Sequence, residues 1–283
     1  MFKTKKGKNV ALALILLLVL TACAPIINPE TGKIFPEKII DLTSPWSFGE
    51  LGWFNALIVW PLAQAINFLS KYMNVTVAII LVTLFTRILT LPLTEKSTLM
   101  TQKMQEMQPE LNRLEEKYRG LKDENAQMRK MQETQAIYKK HDVNPLSSMG
   151  GLFIQFPIMI GMWQAVQRSQ AVLSGSLFGT PLEVSPKQAI SEMNILFIAL
   201  FVLMILSQFV VTKLPQYLAE KKRKTYPNDK PVKQQGQGMQ YFMVAFIAFI
   251  AFGWPMAMTI YWLSGNMIQL LQTFYIHQKY GKQ

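Results

Sequence analysis

VTVAIILVTLFTRILTLPL, residues Val75–Leu93, is the stretch on which the fold turns. A helix of this length spans the hydrocarbon core of a bilayer, about 30 Å at ~1.5 Å of rise per residue. The stretch carries one charge, Arg87, about twelve residues in, flanked on its own helix by Thr83 and Thr86. An arginine near mid-bilayer costs at least ~2.5–3.5 kcal/mol on insertion scales, so it persists where it faces protein or a wet cavity. The alternative is that its long stem snorkels to the headgroups of the inner interface.

Outward from this span the chain repeats the same pattern of apolar runs with charged flanks. Half of the 283 residues are hydrophobic, and the charges gather in three blocks, Met1–Lys8, Glu95–Asp142 and Lys213–Lys233. A soluble domain of this length scatters Lys and Glu over every surface helix, so this segregation points to a membrane. The net charge of +12 raises nucleic acid as a partner. The basic residues, however, flank apolar spans, which is the pattern that fixes membrane orientation.

The N-terminus sets that orientation. Lys3, Lys5, Lys6 and Lys8 precede the apolar run Val10–Leu20, followed by Thr21, Ala22 and the chain's one cysteine, Cys23. A basic start, a short apolar core and small residues before a cut site make a secretory signal. The four residues ending in Cys23 look like a bacterial lipobox, which implies cleavage after a signal peptide of residues 1–22 and lipid on the Cys23 sulfur. An uncleaved first helix with an incidental cysteine is the alternative. One cysteine also excludes an intrachain disulfide.

With Cys23 lipidated, the mature chain begins outside, and residues 23–50, with Pro25, Pro29, Pro36 and Pro45, form an extended outer segment. Residues 51–72 are apolar enough to span but hold Gly52, Asn55, Pro61, Gln64 and Asn67, and Trp46, Trp53 and Trp60 suit an interface. Making them a span would put every later Lys-rich loop outside, so they are expected to lie as an amphipathic outer helix. Five mature spans follow: 75–93 inward, 144–168 outward, 194–212 inward, 239–254 outward and 258–276 inward. Between them lie a cytoplasmic segment 95–142, an outer loop 169–193, a basic inner loop 213–238 and a cytoplasmic tail 277–283. The outer loop holds Lys187 against Glu183 and Glu192, whereas the inner one holds seven Lys and Arg against Glu220 and Asp229. The positive-inside rule therefore agrees with the lipobox, although neither depends on the other. The expected fold is an all-α membrane protein.

In the segment 95–142, Met100, Met104, Met107, Leu111, Leu114 and Tyr118 recur at heptad spacing, and Gly120 then breaks the helix. Leu121, Met128, Met131 and Tyr138 make a second stripe, which predicts an antiparallel hairpin of two helices of about twenty residues. Its ten basic and nine acidic residues nearly balance, which suits a solvated hairpin. The methionines either fill the seam or offer an adaptable surface to apolar partners.

Other spans supply amides and hydroxyls: Gln155, Gln164, Gln208, Ser264, Asn266 and Gln269. Polar groups are unfavourable against lipid, so most should point inward, as interhelical hydrogen bonds or as a cavity lining. Nothing supports catalysis. The two histidines, His141 and His277, lie near inner membrane ends, and metal-ligand spacings and phosphate loops are absent. The spans hold no carboxylate, as a proton-coupled transporter usually would. No enzyme, metal or cofactor is expected. A buried cation without a carboxylate suggests transient pairing with an anion brought from outside the protein. An insertase, a small-solute channel or transporter, and a membrane scaffold all stay open on this reading.

The order of motifs narrows it. A lipobox is followed by a span with Arg87 and Leu91-Pro92-Leu93. A charged hairpin with Gln108-Pro109-Glu110 and Lys117-Tyr118 comes next, then Asn144-Pro145, Gln155-Phe156-Pro157-Ile158, and late Tyr261-Trp262 with Asn266. This order resembles the YidC/Oxa/Alb membrane insertase family, in particular its five-span Gram-positive lipoprotein form, over about Leu51 to Ile276. The resemblance implies a hydrophilic groove among five helices, open to the cytoplasm and the lipid, with Arg87, Thr83, Gln155, Trp262 and Asn266 as groove residues. It implies that Arg87 attracts the acidic outer segment of an incoming single-span protein, with no nucleotide consumed. Its implied partners are nascent membrane proteins, the lipid bilayer, and the Sec translocon and ribosome, with the protein acting as a monomer.

Overall fold

The computed structural model describes residues 34–121, 123–222 and 237–280. The expected signal peptide, Cys23, residues 223–236 and residues 281–283 lie outside the described residues. The elements in chain order are a 3-10 turn (Pro36–Lys38), α1 (Phe48–Phe54), a π-helical turn (Asn55–Val59), α2 (Trp60–Leu69), α3 (Val75–Glu106), α4 (Gln108–Lys117) and α5 (Glu124–Lys140). Then come α6 (Pro145–Arg168), α7 (Gln170–Leu173), strands β1 (Ser176–Leu177) and β2 (Thr180–Pro181), α8 (Pro186–Ser191), α9 (Ile195–Lys222), α10 (Gln237–Ala251) and α11 (Met256–Tyr280). They form two compact units, residues 34–78 with 159–182, and residues 79–158 with 183–280.

In the first unit, α1, the π-helical turn and α2 run as one interrupted rod. Gly52 takes φ +73°, a left-handed value that glycine adopts without a Cβ penalty, so the rod bends there rather than starting at Leu51 as a single helix. Ser47 caps it by accepting from the Glu50 amide. Ile40, Phe54, Val59, Ala63 and Ala165 make its core, edged by Trp53, Trp60 and Ile160. Trp46 Nε1 donates to the Ala56 carbonyl and Trp60 Nε1 to the Ser44 carbonyl, so both indoles are tied to protein at their polar tips. The stretch 169–193, expected as a plain loop, holds α7, an antiparallel pair of short strands and α8.

The second unit contains most of α3. Val75–Pro92 and Ile195–Leu218 are the two described helical runs long and apolar enough to cross a membrane by length and composition, and Gln240–Ala251 is a shorter apolar run. On α3, Leu84, Phe85, Ile88 and Leu89 are exposed at helical spacing, as are Val202, Leu203, Leu206 and Phe209 on α9. Their opposite faces bury Val82 and Thr83, and Phe201, Met204 and Ser207. A wide apolar stripe left open on a buried-backed helix is what lipid, rather than water, would cover. α3 does not stop at Leu93. It runs through Pro92 to Glu106, roughly 48 Å at ~1.5 Å per residue, so its C-terminal part extends past the apolar stretch. α9 packs on α11 around Phe201, Met204 and Ala251, with Trp254, Trp262 and Leu263 against them.

The hairpin departs from its expected register. Its helices are unequal, α4 spanning Gln108–Lys117 and α5 Glu124–Lys140. Met107, Leu111, Leu114 and Tyr118 are buried and Met104 packs beside them, but the facing residues are Ala126, Ile137, Tyr138 and Val143. Leu121, Met128 and Met131, expected in the second stripe, are about half or more exposed, at 48%, 54% and 63%. Ala126 and Ile137, on one face of α5, pack against Leu114 and Tyr118, which leaves Met128 and Met131 on the opposite side of that helix. Glu133, on the seam face, accepts from Lys117 Nζ at 2.7 Å and from the Tyr118 hydroxyl at 2.8 Å. Glu110 likewise holds Lys140 and His141 across the hairpin, each at 3.0 Å.

Candidate functional site

The site is built on the face of α3 opposite its exposed stripe. Threonines line it at helical spacing. Thr83 donates to the Ile79 carbonyl, Thr90 to Thr86, Thr94 to Thr90 and Thr98 to Thr94. Each hydroxyl is satisfied one turn back on its own helix, which allows a polar row without partners on other helices. Arg87 sits in this row, partly buried.

Across from it stands α11. At about 100° per residue, Tyr261, Gly265, Gln269, Gln272 and Lys279 share one face of that helix. Arg87 Nη1 donates to Gln269 Oε1 at 3.2 Å. The guanidinium lies over Gly265, where a Cβ would stand only 3.0 Å from Nη2. Glycine at this position leaves room for the cation. The Tyr261 hydroxyl lies close enough to Arg87 and to Gln155 on α6 to feel both, so the three belong to one cluster. Among the described residues no carboxylate pairs with Arg87. Gln269 takes one of the five N–H donors of a guanidinium, a group whose fork fits a carboxylate.

Trp262 and Asn266 do not join this cluster. They lie roughly a quarter turn round α11 and face α9, where Trp262 Nε1 donates to Gln208 Oε1 at 2.8 Å and Asn266 Nδ2 to the Ser207 hydroxyl at 2.9 Å. Thr83 is fully buried on the α3 side, with its hydroxyl spent on Ile79.

Beyond Arg87 the polar contacts between the two helices continue as far as the end of α11, through residues that sequence reasoning passed over. Gln272 Nε2 donates to the Thr94 hydroxyl at 2.9 Å. Lys279 Nζ and the Tyr280 hydroxyl both donate to Glu95 Oε1 at 2.8 Å. These bonds from Lys279 and Tyr280 hold the Glu95 carboxyl below its usual range, and the same contact with Glu95 pushes the Lys279 ammonium up. Counting helical positions from Tyr261 along α11 would have found Gly265, Gln272 and Lys279.

The first unit holds a second polar centre, around Arg168. Its Nε donates to the Lys38 carbonyl at 2.6 Å and its Nη1 to Asn55 Oδ1 at 2.8 Å, and the residue is 4% exposed. Beside it Asn67 donates to the Ile40 carbonyl and accepts from the Ser169 hydroxyl and the Ala171 amide. A bridge between Ile40 and Ser169 ties the same two segments through their backbones. Arg168 reads in the sequence only as the charge that closes a span, and nothing there names its partners.

Comparison with known proteins shows the family of the chain. Residues 67–283 match the family model described as 60Kd inner membrane protein. The chain is 30% identical over 240 residues to the membrane protein insertase YidC of Oceanobacillus iheyensis, covering 84% of this chain and 89% of that protein. It is 32% identical over 226 residues to the membrane protein insertase MisCA of Bacillus subtilis, covering 79% and 78%. With the membrane protein insertase YidC 1 of Streptococcus pyogenes serotype M3 it shares 30% identity over 278 residues, 98% of this chain and 87% of that one. The chain belongs to the family of the 60Kd inner membrane protein, the YidC/Oxa/Alb family.

Proposed function

We propose that this protein is a membrane protein insertase. It receives the polar, acidic outer segment of an incoming membrane protein at Arg87 and lets the apolar helix that follows pass into lipid. The observation that carries this reading is the state of Arg87. It is partly buried on an apolar helix, bonded to one amide, given room by Gly265, and without a carboxylate among the described residues. A cation held this way keeps donors for a carboxylate that comes and goes. The names of the relatives support the same activity.

In this reading five spans, 75–93, 144–168, 194–212, 239–254 and 258–276, surround a hydrophilic groove. Residues 51–72 lie in the outer interface and 95–142 receive substrates in the cytoplasm. Lipid on Cys23 anchors the N-terminus outside. Thr83 and Gln155 support the Arg87 side of the groove, while Trp262 and Asn266 brace its wall against α9. The groove shortens the apolar distance that a polar segment crosses. Burial of the substrate helix drives the step, at about 25 cal/mol per Å² of apolar surface. A membrane potential adds about 2.3 kcal/mol per charge per 100 mV, in the favourable sense for an acidic segment moving outward. No nucleotide, metal or cofactor takes part. The partners are nascent membrane proteins, with the Sec translocon and the ribosome as neighbours, and one copy suffices.

The test replaces Arg87 by Ala and by Lys and scores insertion of a reporter whose outer tail carries Asp or Glu. Arg87→Ala abolishes insertion, Arg87→Lys retains part of it, and neutralising the tail lessens the dependence. If both variants insert the acidic reporter normally while staying folded, Arg87 is a snorkelling anchor and the groove loses its central residue.

A further inference from the structure

The ladder between α3 and α11 carries two cations and treats them differently. Arg87 has no acidic partner among the described residues, whereas Lys279 is paired with Glu95. Glu95 is the first of the two carboxylates on α3 and α11 has none, so the acid that follows the apolar run of α3 is spent on the cation near the end of α11. The Lys279 ammonium is also held in a way that does not need Glu95. It lies 5.6 Å from the ring centre of Tyr275 and 5.1 Å from that of Tyr280, both on its own helix. Aromatic faces attract an ammonium and fix its position. The ion pair itself is partly exposed, 44% at Lys279 and 24% at Glu95, and pairs of that exposure are weak and exchange readily. The two helices meet here mainly through long side chains, Gln272 to Thr94 and Lys279 to Glu95, rather than through close backbone packing.

We infer that Glu95 is a placeholder for substrate. An acidic peptide segment arriving from the cytoplasm exchanges with Glu95 on Lys279 and the Tyr280 hydroxyl, so that Lys279 is the first cation it meets and Arg87 the second. Lys279 lies ten residues beyond Gln269, the partner of Arg87, or roughly 15 Å along α11 at ~1.5 Å per residue. A segment with carboxylates in extended chain, at about 3.3 Å per residue, bridges that interval with four or five residues. The inference rests on the insertase reading, and it adds a selectivity step to it: a segment without a carboxylate has nothing with which to displace Glu95.

The experiment uses full-length protein in vesicles of zwitterionic lipid, with two reporters that differ only in an acidic or a neutral outer tail. The readout is the ratio of their initial insertion rates. Glu95→Gln raises the ratio and Lys279→Gln lowers it, each by about two- to fivefold, the span that a weak exposed pair covers. The exchanged pair Glu95→Lys with Lys279→Glu keeps a clasp, and the ratio stays low. Zero-length carbodiimide links the acidic tail to Lys279, and more of it in Glu95→Gln. If the exchanged pair restores the wild-type ratio and the tail fails to link, Glu95 and Lys279 merely fasten two helices, and the inference is overturned. Arg87→Ala, run alongside, separates the two claims. Loss of insertion there with no change of ratio at Lys279 sinks this inference alone, and normal insertion sinks the receiving groove as well.

Discussion

Arg87 and Arg168 are both arginines without a carboxylate partner among the described residues, and the molecule holds them in opposite ways. Arg168 is 4% exposed and gives its donors to fixed oxygens, the Lys38 carbonyl and Asn55 Oδ1, at 2.6 and 2.8 Å. Arg87 touches one flexible amide at 3.2 Å and lies over a glycine. A buried cation whose donors are consumed is part of the fold, because removing it takes away its charged hydrogen bonds together with the packing of its side chain. A cation with donors to spare contributes little to the fold and is available to a ligand. Arg168→Ala should therefore unfold the protein more easily, by roughly 2–4 kcal/mol, since it leaves the Lys38 carbonyl and Asn55 Oδ1 unpaired. Arg87→Ala should change stability by under about 1 kcal/mol. Thermal unfolding of both variants in the same detergent checks this, and equal losses would erase the distinction between the two sites.

The same contrast shows what could be read in advance. Arg87 was legible because a charge inside an apolar run costs several times the thermal energy, and few solutions exist for it. The long helices α3 and α9 were legible for the same reason, as runs without charge. The knot around Arg168 was not, because three of its five bonds use backbone groups, which every residue carries. No side-chain pattern marks Lys38 or Ile40 as acceptors for residues 67 and 168. The hairpin misled for another reason. Counting apolar residues put Met128 and Met131 on the seam, but Ala126 and Ile137 pack there instead, and a small residue such as Ala126 does not stand out in an apolar stripe. The division of α11 into a face toward Arg87 and a face toward α9 was open to reading, since a quarter turn separates Gly265 from Asn266 on any helical wheel.

A smaller effect follows from the room left beside Arg87. Gly265→Ala places a Cβ 3.0 Å from Nη2, tighter than ordinary contact, and the guanidinium is the flexible partner that must shift. Alanine also gains roughly 0.5–1 kcal/mol over glycine inside a helix. Stability should therefore stay level or rise slightly, while insertion of an acidic-tailed reporter falls. A larger side chain, as in Gly265→Val, should deepen the loss of insertion. If Gly265→Ala lowers stability and leaves insertion intact, the glycine serves helix packing and the space over it has no bearing on the cation.

The smallest expected effect lies in the hairpin, where charges face water and hold weakly. Burial works against an ionised Glu110, but hydrogen bonds from Lys140 and His141 outweigh it, and its carboxyl lies below the ordinary value of 4.5. Glu133 is held below the same value by Lys117 first and then Tyr118. A carboxyl depressed in the folded state stabilises it fully above the ordinary value, and that contribution is lost as pH falls through the depressed one. Between neutral pH and about pH 5 the hairpin should thus keep its protection against hydrogen exchange, because carboxyls held below their ordinary value are still mostly ionised there. Below pH 4 the amides of Leu111, Leu114 and Val143, buried in its seam, should open progressively. Glu110→Gln should remove the part of that change nearest Lys140 and His141, leaving the part at Glu133 in place. Because these pairs are screened by solvent, the loss should be the smallest of the four effects and should shrink further in high salt. A hairpin that opens as much in Glu110→Gln as in the unaltered protein would place the weak point in its apolar seam instead.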